Sequence, residues 1–221
     1  MGKQKNPPWD SVISCLLKQL KRVELPSVSQ IANKKRDPFR VLISTMISLR
    51  TKDEVTLQAS DRLYAIADTP SGIAGMSEED ISRAIYPAGF YKTKAKHIKQ
   101  TAEILLEKYK GAVPQEEEAL LSLPGVGRKT ANLVLNLGFG IDAVCVDTHV
   151  HRISNRTGWV TAKTPEETEF ALMEILPKKY WIPINELLVS FGQKICTPQS
   201  PRCSECSIYS FCIRKNVRRS R

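Results

Sequence analysis

Residues 115–140 read QEEEALLSLPGVGRKTANLVLNLGFG. An acidic run from Gln115 to Leu121 leads into Pro124, Gly125 and Gly127, and an apolar run from Ala131 to Leu137 follows Arg128, Lys129 and Thr130 directly. Proline ends the first helix, glycine permits positive φ, and the second helix opens at the turn with its first N–H groups unbonded within the helix. The segment therefore reads as helix, hairpin, helix over about 115–137. Without a Cβ, Gly125 and Gly127 let an anion approach the Gly125-Val126-Gly127 backbone, where the positive end of the next helix's dipole points. Arg128 and Thr130 add side-chain donors. Phosphate suits such a turn, and phosphate contacts position a protein without reading bases. A G-x-G alone fits a ligand-free helix–helix turn as well. The proline before it, the basic residues after it and the charge of the whole chain favour the phosphate reading.

Outward from this segment the chain keeps helical periodicity, with no sustained period-two alternation, and reads as all-α with about ten helices. From Lys92 to Tyr109, Ala95, Ile98, Ala102, Leu105 and Tyr109 recur every three or four residues, an apolar face that stops before Gly111. Other starts are marked by Asp10 ahead of Val12, Ile13, Leu16, Leu17 and Leu20, by Asp37-Pro38 ahead of Phe39 and Val41, by Ser77 with Asp80, and by Thr164-Pro165 ahead of Phe170 and Leu176. The 221 residues are 42% hydrophobic and 25% charged, enough for a real core in one or two domains. No window approaches the roughly 18 uninterrupted apolar residues of a membrane span. Thirty-three Lys and Arg against 23 Asp and Glu leave +10, a field that favours nucleic acid as partner, with an anionic membrane surface second. Charges in Met1–Pro8 are not followed by an apolar segment, so no secretory signal is read there and an intracellular protein is expected.

Six cysteines in a reducing compartment point to metal or redox chemistry rather than disulfides. Cys196, Cys203, Cys206 and Cys212 follow C-x6-C-x2-C-x5-C, which suits either one tetrahedral zinc or one [4Fe-4S] cluster; spacing alone does not decide. Cys15 and Cys145 stand apart in apolar settings as buried thiols. Asp147, in Val146-Asp147-Thr148-His149, reads on its own as a helix cap. His149 and His151 read as structural or DNA-facing.

The run LPGVGRKTANLVLNLGFG, then VDTHVHRISNR, then the four spaced cysteines strongly resembles the endonuclease III family of helix-hairpin-helix DNA glycosylases, over about residues 26–212. The resemblance implies a bifunctional enzyme that excises oxidised pyrimidines from duplex DNA and nicks the abasic site left behind. It implies a [4Fe-4S] cluster on the four cysteines. It puts Lys129 at the position whose amine attacks the sugar C1′ and forms a Schiff base, and Asp147 at the family's carboxylate. An ordinary lysine amine is neutral in only about one molecule in 2,500 at pH 7. The helix N-terminus and Arg128 both disfavour a further positive charge beside them. Family members that only remove a base carry another residue in place of this lysine, so intrinsic lyase activity is expected.

A base inside a duplex is reached by flipping its nucleotide out and filling the gap. Arg50 stands where bacterial members have Gln, a departure that suits the O6 and N7 edge of guanine. Phe90 matches an intercalating Leu and suits a stacking wedge. Each also has a plainer reading, Arg50 as a cap or phosphate contact and Phe90 as core. Arg202, between Cys196 and Cys203 in a loop stiffened by Pro198 and Pro201, is a candidate phosphate contact, and the basic tail from Arg214 reads as solvated or DNA-touching. The expected architecture is two-lobed and helical. A barrel lobe spans 31–140, and a discontinuous cluster-bearing lobe spans 1–30 and 141–221. Duplex DNA with a damaged base or abasic site is expected between them, where Lys129 and Asp147 face each other. A monomer is expected, in the cytoplasm of a prokaryote or in the nucleus or mitochondrion of a eukaryote. Two other classes fit parts of the pattern: a monofunctional mismatch glycosylase, and a non-catalytic zinc-containing DNA-binding module.

Overall fold

The computed structural model describes residues 7–221, so the reading of the first six residues lies outside the described part. Among the described residues there are helices and turns and no β-strand. In chain order the α-helices are α1 (Trp9–Leu20), α2 (Ser27–Lys34), α3 (Pro38–Ser48), α4 (Asp53–Ile66), α5 (Pro70–Gly75), α6 (Glu78–Ile85), α7 (Tyr91–Tyr109), α8 (Glu117–Leu121), α9 (Arg128–Leu133), α10 (Thr148–Thr157), α11 (Pro165–Ile175) and α12 (Trp181–Lys194). No described helix is long and apolar enough to cross a membrane.

Local chemistry starts α3, α6 and α11 where the sequence marks them, whereas α1 begins at Trp9 behind Pro8 with no side-chain cap, and Asp10 lies inside its first turn and pairs with Lys179. Asp37 accepts from Phe39 N and Arg40 N ahead of α3. Ser77 Oγ accepts from Asp80 N at 3.0 Å and donates to the Asp80 carboxylate, and Thr164 accepts from Glu167 N ahead of α11. Each such cap is worth about 1 kcal/mol. The hydrophobic faces hold less uniformly. Ala95, Ile98, Ala102 and Leu105 of α7 are fully buried and Tyr109 is half-buried. Leu17 and Phe170, which fit the helical period, are 54% and 50% exposed. Trp9 takes the inward place on α1, its ring edge-on to Trp159 and its Nε1 donating to Ile175 O.

The chain divides into two compact units, residues 26–143 and residues 1–25 with 144–221. In the first, α7 packs on α5 and α6, and α3 packs on the segment that continues α9. That segment, Val134–Phe139, is a π-helix where the sequence suggested a plain α-helix through Leu137. Ile43, Ile47, Leu63, Ile98 and Leu105 fill this unit's interior. The second unit closes around Val12, Leu16, Val150, Ile153, Leu188 and Phe191. Burying one such side chain stabilises by roughly 1.5–3 kcal/mol.

Candidate active site and cysteine loop

Apolar anchors fix the hairpin between α8 and α9. Leu123 and Val126 are buried, and Val126 N donates to Leu123 O at 3.1 Å to close the turn. Gly125 has φ +75°, and a Cβ there would lie 2.6 Å from His97 Nδ1 of α7, so conformation and space both demand glycine. Gly127 precedes α9 without a side-chain cap, and nothing lies within 4 Å of where its Cβ would stand. The turn thus presents backbone with open space beside it. Arg128 pairs with Glu117 of α8 at 3.1 Å, which ties the two arms of the hairpin together. Lys129 follows, half-buried, in the first turn of α9. Thr130 is 1% exposed, so the hydroxyl expected to face a phosphate is turned into the protein.

In the same unit, Arg50 follows α3 and Phe90 precedes α7. Both have left-handed backbone, with φ 52° and 57°. Such conformations are uncommon for residues with a Cβ and cost about 1 kcal/mol or more each. Both side chains are exposed, and the Arg50 guanidinium lies over the Phe90 ring at 5.6 Å. Phe90, 63% exposed, is therefore not a core residue.

In the other unit, Asp147 does cap a helix. Its Oδ1 accepts from His149 N at 2.8 Å and Val150 N at 2.9 Å at the start of α10. One face of α10 grips the cysteine loop. Arg152 donates to Gly192 O and Cys196 O, while Arg156 donates to Cys196 Sγ at 3.3 Å, Thr197 O and Pro198 O. Neither arginine stood out from sequence. Their one signal was i,i+4 spacing on a helix, whose target cannot be read without the fold. The histidines are structural: His149 packs against Arg152 and Gly192, and His151 Nδ1 lies 2.7 Å from Thr168 Oγ1.

Cys196, Cys203, Cys206 and Cys212 line one cavity together with Phe191 and Ile208. Burial pushes the Cys206 thiol up to about 11 and Cys212 in the same direction, and the neighbouring cysteines add to both shifts. Four anionic sulfurs are costly there without bound cations. Arg156 Nη1 and Arg214 N each donate to a cysteine sulfur at 3.3 Å, the kind of bond that tunes cluster thiolates. Among the described residues no three or more His, Cys, Asp or Glu side chains are drawn around a single metal ion. A cavity ringed by four thiols fits a multi-iron cluster. Cys145 is buried and Cys15 only half-buried. Arg202 is exposed beside Glu205, its N–H donating to Ile195 O. The basic tail is docked: Ile213 N and Lys215 N donate to Thr157 O and Arg156 O, and Arg221 N donates to Pro201 O.

Residues 43–178 match the HhH-GPD superfamily base excision DNA repair proteins, and residues 196–212 match the iron-sulfur binding domain of endonuclease III. The chain is 53% identical over 180 residues to endonuclease III of Thermotoga maritima, covering 81% of this chain and 84% of that one. It is 43% identical over 224 residues to endonuclease III homolog 2, chloroplastic, of Arabidopsis thaliana, covering 93% of this chain and 58% of that longer protein. Among solved structures, a trapped endonuclease III–DNA covalent intermediate superimposes with a TM-score of 0.82 at 33% identity, covering 93% of this chain and 95% of that one. Helical fold, hairpin, cysteine loop and these matches agree, and the chain belongs to the endonuclease III family, base excision repair DNA glycosylases that carry a [4Fe-4S] cluster.

Proposed function

We propose that this chain excises oxidised pyrimidines from duplex DNA and cleaves the resulting abasic site, with Lys129 as nucleophile. The observation that carries the reading is the position of Lys129 in the first turn of α9, directly after a hairpin whose Gly127 leaves open space beside the backbone. Phosphate bound at Gly125 and Gly127 brings the adjoining sugar to the amine, while Val126, buried and with its N–H donated to Leu123 O, holds the turn rather than the anion. Thr130 contributes its backbone N–H, and Arg128 contributes charge while it braces the hairpin.

The neutral Lys129 Nζ attacks C1′ as the glycosidic bond breaks, and the base departs with its electron pair and takes up a proton. The C1′ adduct opens to a protonated Schiff base. Loss of a C2′ proton then expels the 3′ phosphate by β-elimination, and water releases the amine from the cleaved sugar. Asp147, its Oδ1 fixed by two N–H groups, supplies negative charge toward the cationic sugar of the transition state and accepts protons. Arg50 and Phe90 fill the gap left by the flipped nucleotide, Phe90 by stacking and Arg50 by donating to the unpaired base.

Cys196, Cys203, Cys206 and Cys212 would hold the [4Fe-4S] cluster, and these four residues, tied to it, would fix the loop that bears Arg202, a phosphate contact. An intracellular compartment that holds DNA follows from this substrate. The test is duplex DNA containing thymine glycol, read with and without alkali. Strand cleavage without alkali is expected. Base release with breaks only after alkali indicates a monofunctional glycosylase and overturns the reading.

A further inference from the structure

Lys94 lies on α7, 8% exposed, one turn beyond Phe90. Its ammonium donates to Ile47 O at 2.6 Å, Leu49 O at 2.6 Å and Thr51 Oγ1 at 2.9 Å. All three donors of the ammonium are thus engaged, and none of the acceptors is a carboxylate. Ile47 and Leu49 belong to the end of α3, where carbonyls lack helical partners and the dipole is negative. Thr51 Oγ1 also accepts from Gly89 N at 3.1 Å. Gly89 in turn sits so close that a Cβ there would stand 2.5 Å from Arg50 O. One buried cation therefore ties the turn carrying Arg50, through Thr51, to the turn carrying Phe90.

This arrangement is costly. Burial pushes the Lys94 amine down to about 8. An apolar side chain would fill the same space without desolvating a charge. Both of the residues it ties together hold left-handed backbone and exposed side chains.

We propose that Lys94 is a positioning residue for duplex interrogation: by bonding the Ile47–Thr51 segment and, through Thr51, the Gly89 turn, it sets Arg50 and Phe90 side by side at the spacing that fills the gap behind a flipped nucleotide. The proposal rests on reading Arg50 and Phe90 as gap-filling residues. It predicts a defect confined to substrates that have a gap to fill. Without the three bonds the two turns shift by fractions of an ångström to an ångström, displacements that cost up to about a hundredfold in rate.

The experiment compares wild type, Lys94→Met, Thr51→Val and Phe90→Ala. Single-turnover cleavage is measured on thymine glycol in duplex DNA and on an abasic site in single-stranded DNA, which has no opposite strand to support. Lys94→Met is expected to lower the duplex-to-single-strand rate ratio by about ten- to a hundredfold. Thr51→Val leaves the Lys94 bonds to Ile47 O and Leu49 O and removes the hydroxyl through which Lys94 reaches Gly89; it is expected to shift the ratio in the same direction, and it decides the matter if Lys94→Met does not fold. A folded Lys94→Met, or failing that Thr51→Val, that loses thermal stability with an unchanged ratio leaves Lys94 a structural staple and overturns the proposal. If Phe90→Ala also leaves the ratio unchanged, the gap-filling reading itself has failed. If Phe90→Ala lowers it and the other two do not, only the role of Lys94 has failed.

Discussion

The hairpin at 123–130 and the loop at 196–212 both end in backbone and charge suited to DNA, yet they are held by opposite means. Buried Leu123 and Val126, the Arg128–Glu117 pair and the fit of Gly125 over His97 define the hairpin from within the polypeptide. The cysteine loop contains only two single-turn 3₁₀ segments, Cys203–Glu205 and Tyr209–Phe211, and its buried apolar side chains are Pro201 and Ile208. Its order rests on four thiols around a cavity, two arginines from α10 and the docked tail. The difference teaches that the hairpin ahead of Lys129 is held by the chain's own packing, whereas the loop at 196–212 is gripped from outside by α10, the helix that Asp147 caps. Arg152 and Arg156 are the physical link, because the helix they belong to begins at Asp147.

The largest expected effect breaks the cluster side. Cys206→Ser removes one ligand, and the preparation should lose its visible absorbance and the protection of 196–217 from proteolysis. The 26–143 unit should keep its helicity by circular dichroism and its hydrogen-exchange protection. Equal loss in both units would show that the 26–143 unit also depends on the cluster for its order.

Next, Asp147 separates chemistry from capping. Asn caps helices as well as Asp does, so Asp147→Asn should keep the melting temperature and lower base excision on the order of a hundredfold or more, since the charge is gone. Asp147→Ala should show the same rate loss together with about 1 kcal/mol of destabilisation. Excision by Asp147→Asn at the wild-type rate would reduce this residue to the cap it visibly forms.

The smallest effects test the hairpin. Gly125→Ala meets both left-handed φ and His97, and is expected to destabilise by about 1–3 kcal/mol, read by thermal denaturation. Gly127→Ala has space for its methyl and should leave stability within about 0.5 kcal/mol, while duplex affinity falls severalfold because the methyl stands where phosphate approaches. Matching effects of the two alanines on stability would contradict the distinct roles assigned to these glycines.

Much of the hairpin was legible because its physics is local: proline, two glycines and a helix start within a few residues. Caps at Asp37, Ser77, Thr164 and Asp147 were legible for the same reason. The cysteine spacing left zinc and iron–sulfur open on its own, since four thiolates can satisfy either centre. Leu17 and Phe170 were misread because helical periodicity marks a face without showing whether another element covers it. Lys94, Arg152 and Arg156 were invisible as functional groups. Most of their acceptors are backbone carbonyls 40 or more residues away in sequence, and main-chain carbonyls carry no side-chain signature. The π-helical stretch at Val134–Phe139, which packs against α3, carries no residue that marks it apart from an α-helix in the sequence.

The claim on which the mechanism depends is that the Lys129 amine joins covalently to the sugar. Borohydride reduction during turnover on thymine glycol duplex, followed by proteolysis and mass spectrometry of the DNA-linked peptide, tests it directly. The adduct is expected on Lys129 alone, and Lys129→Ala, with its visible absorbance intact, should trap at least a thousandfold less. An adduct on another residue, or undiminished trapping by that variant, would contradict the account.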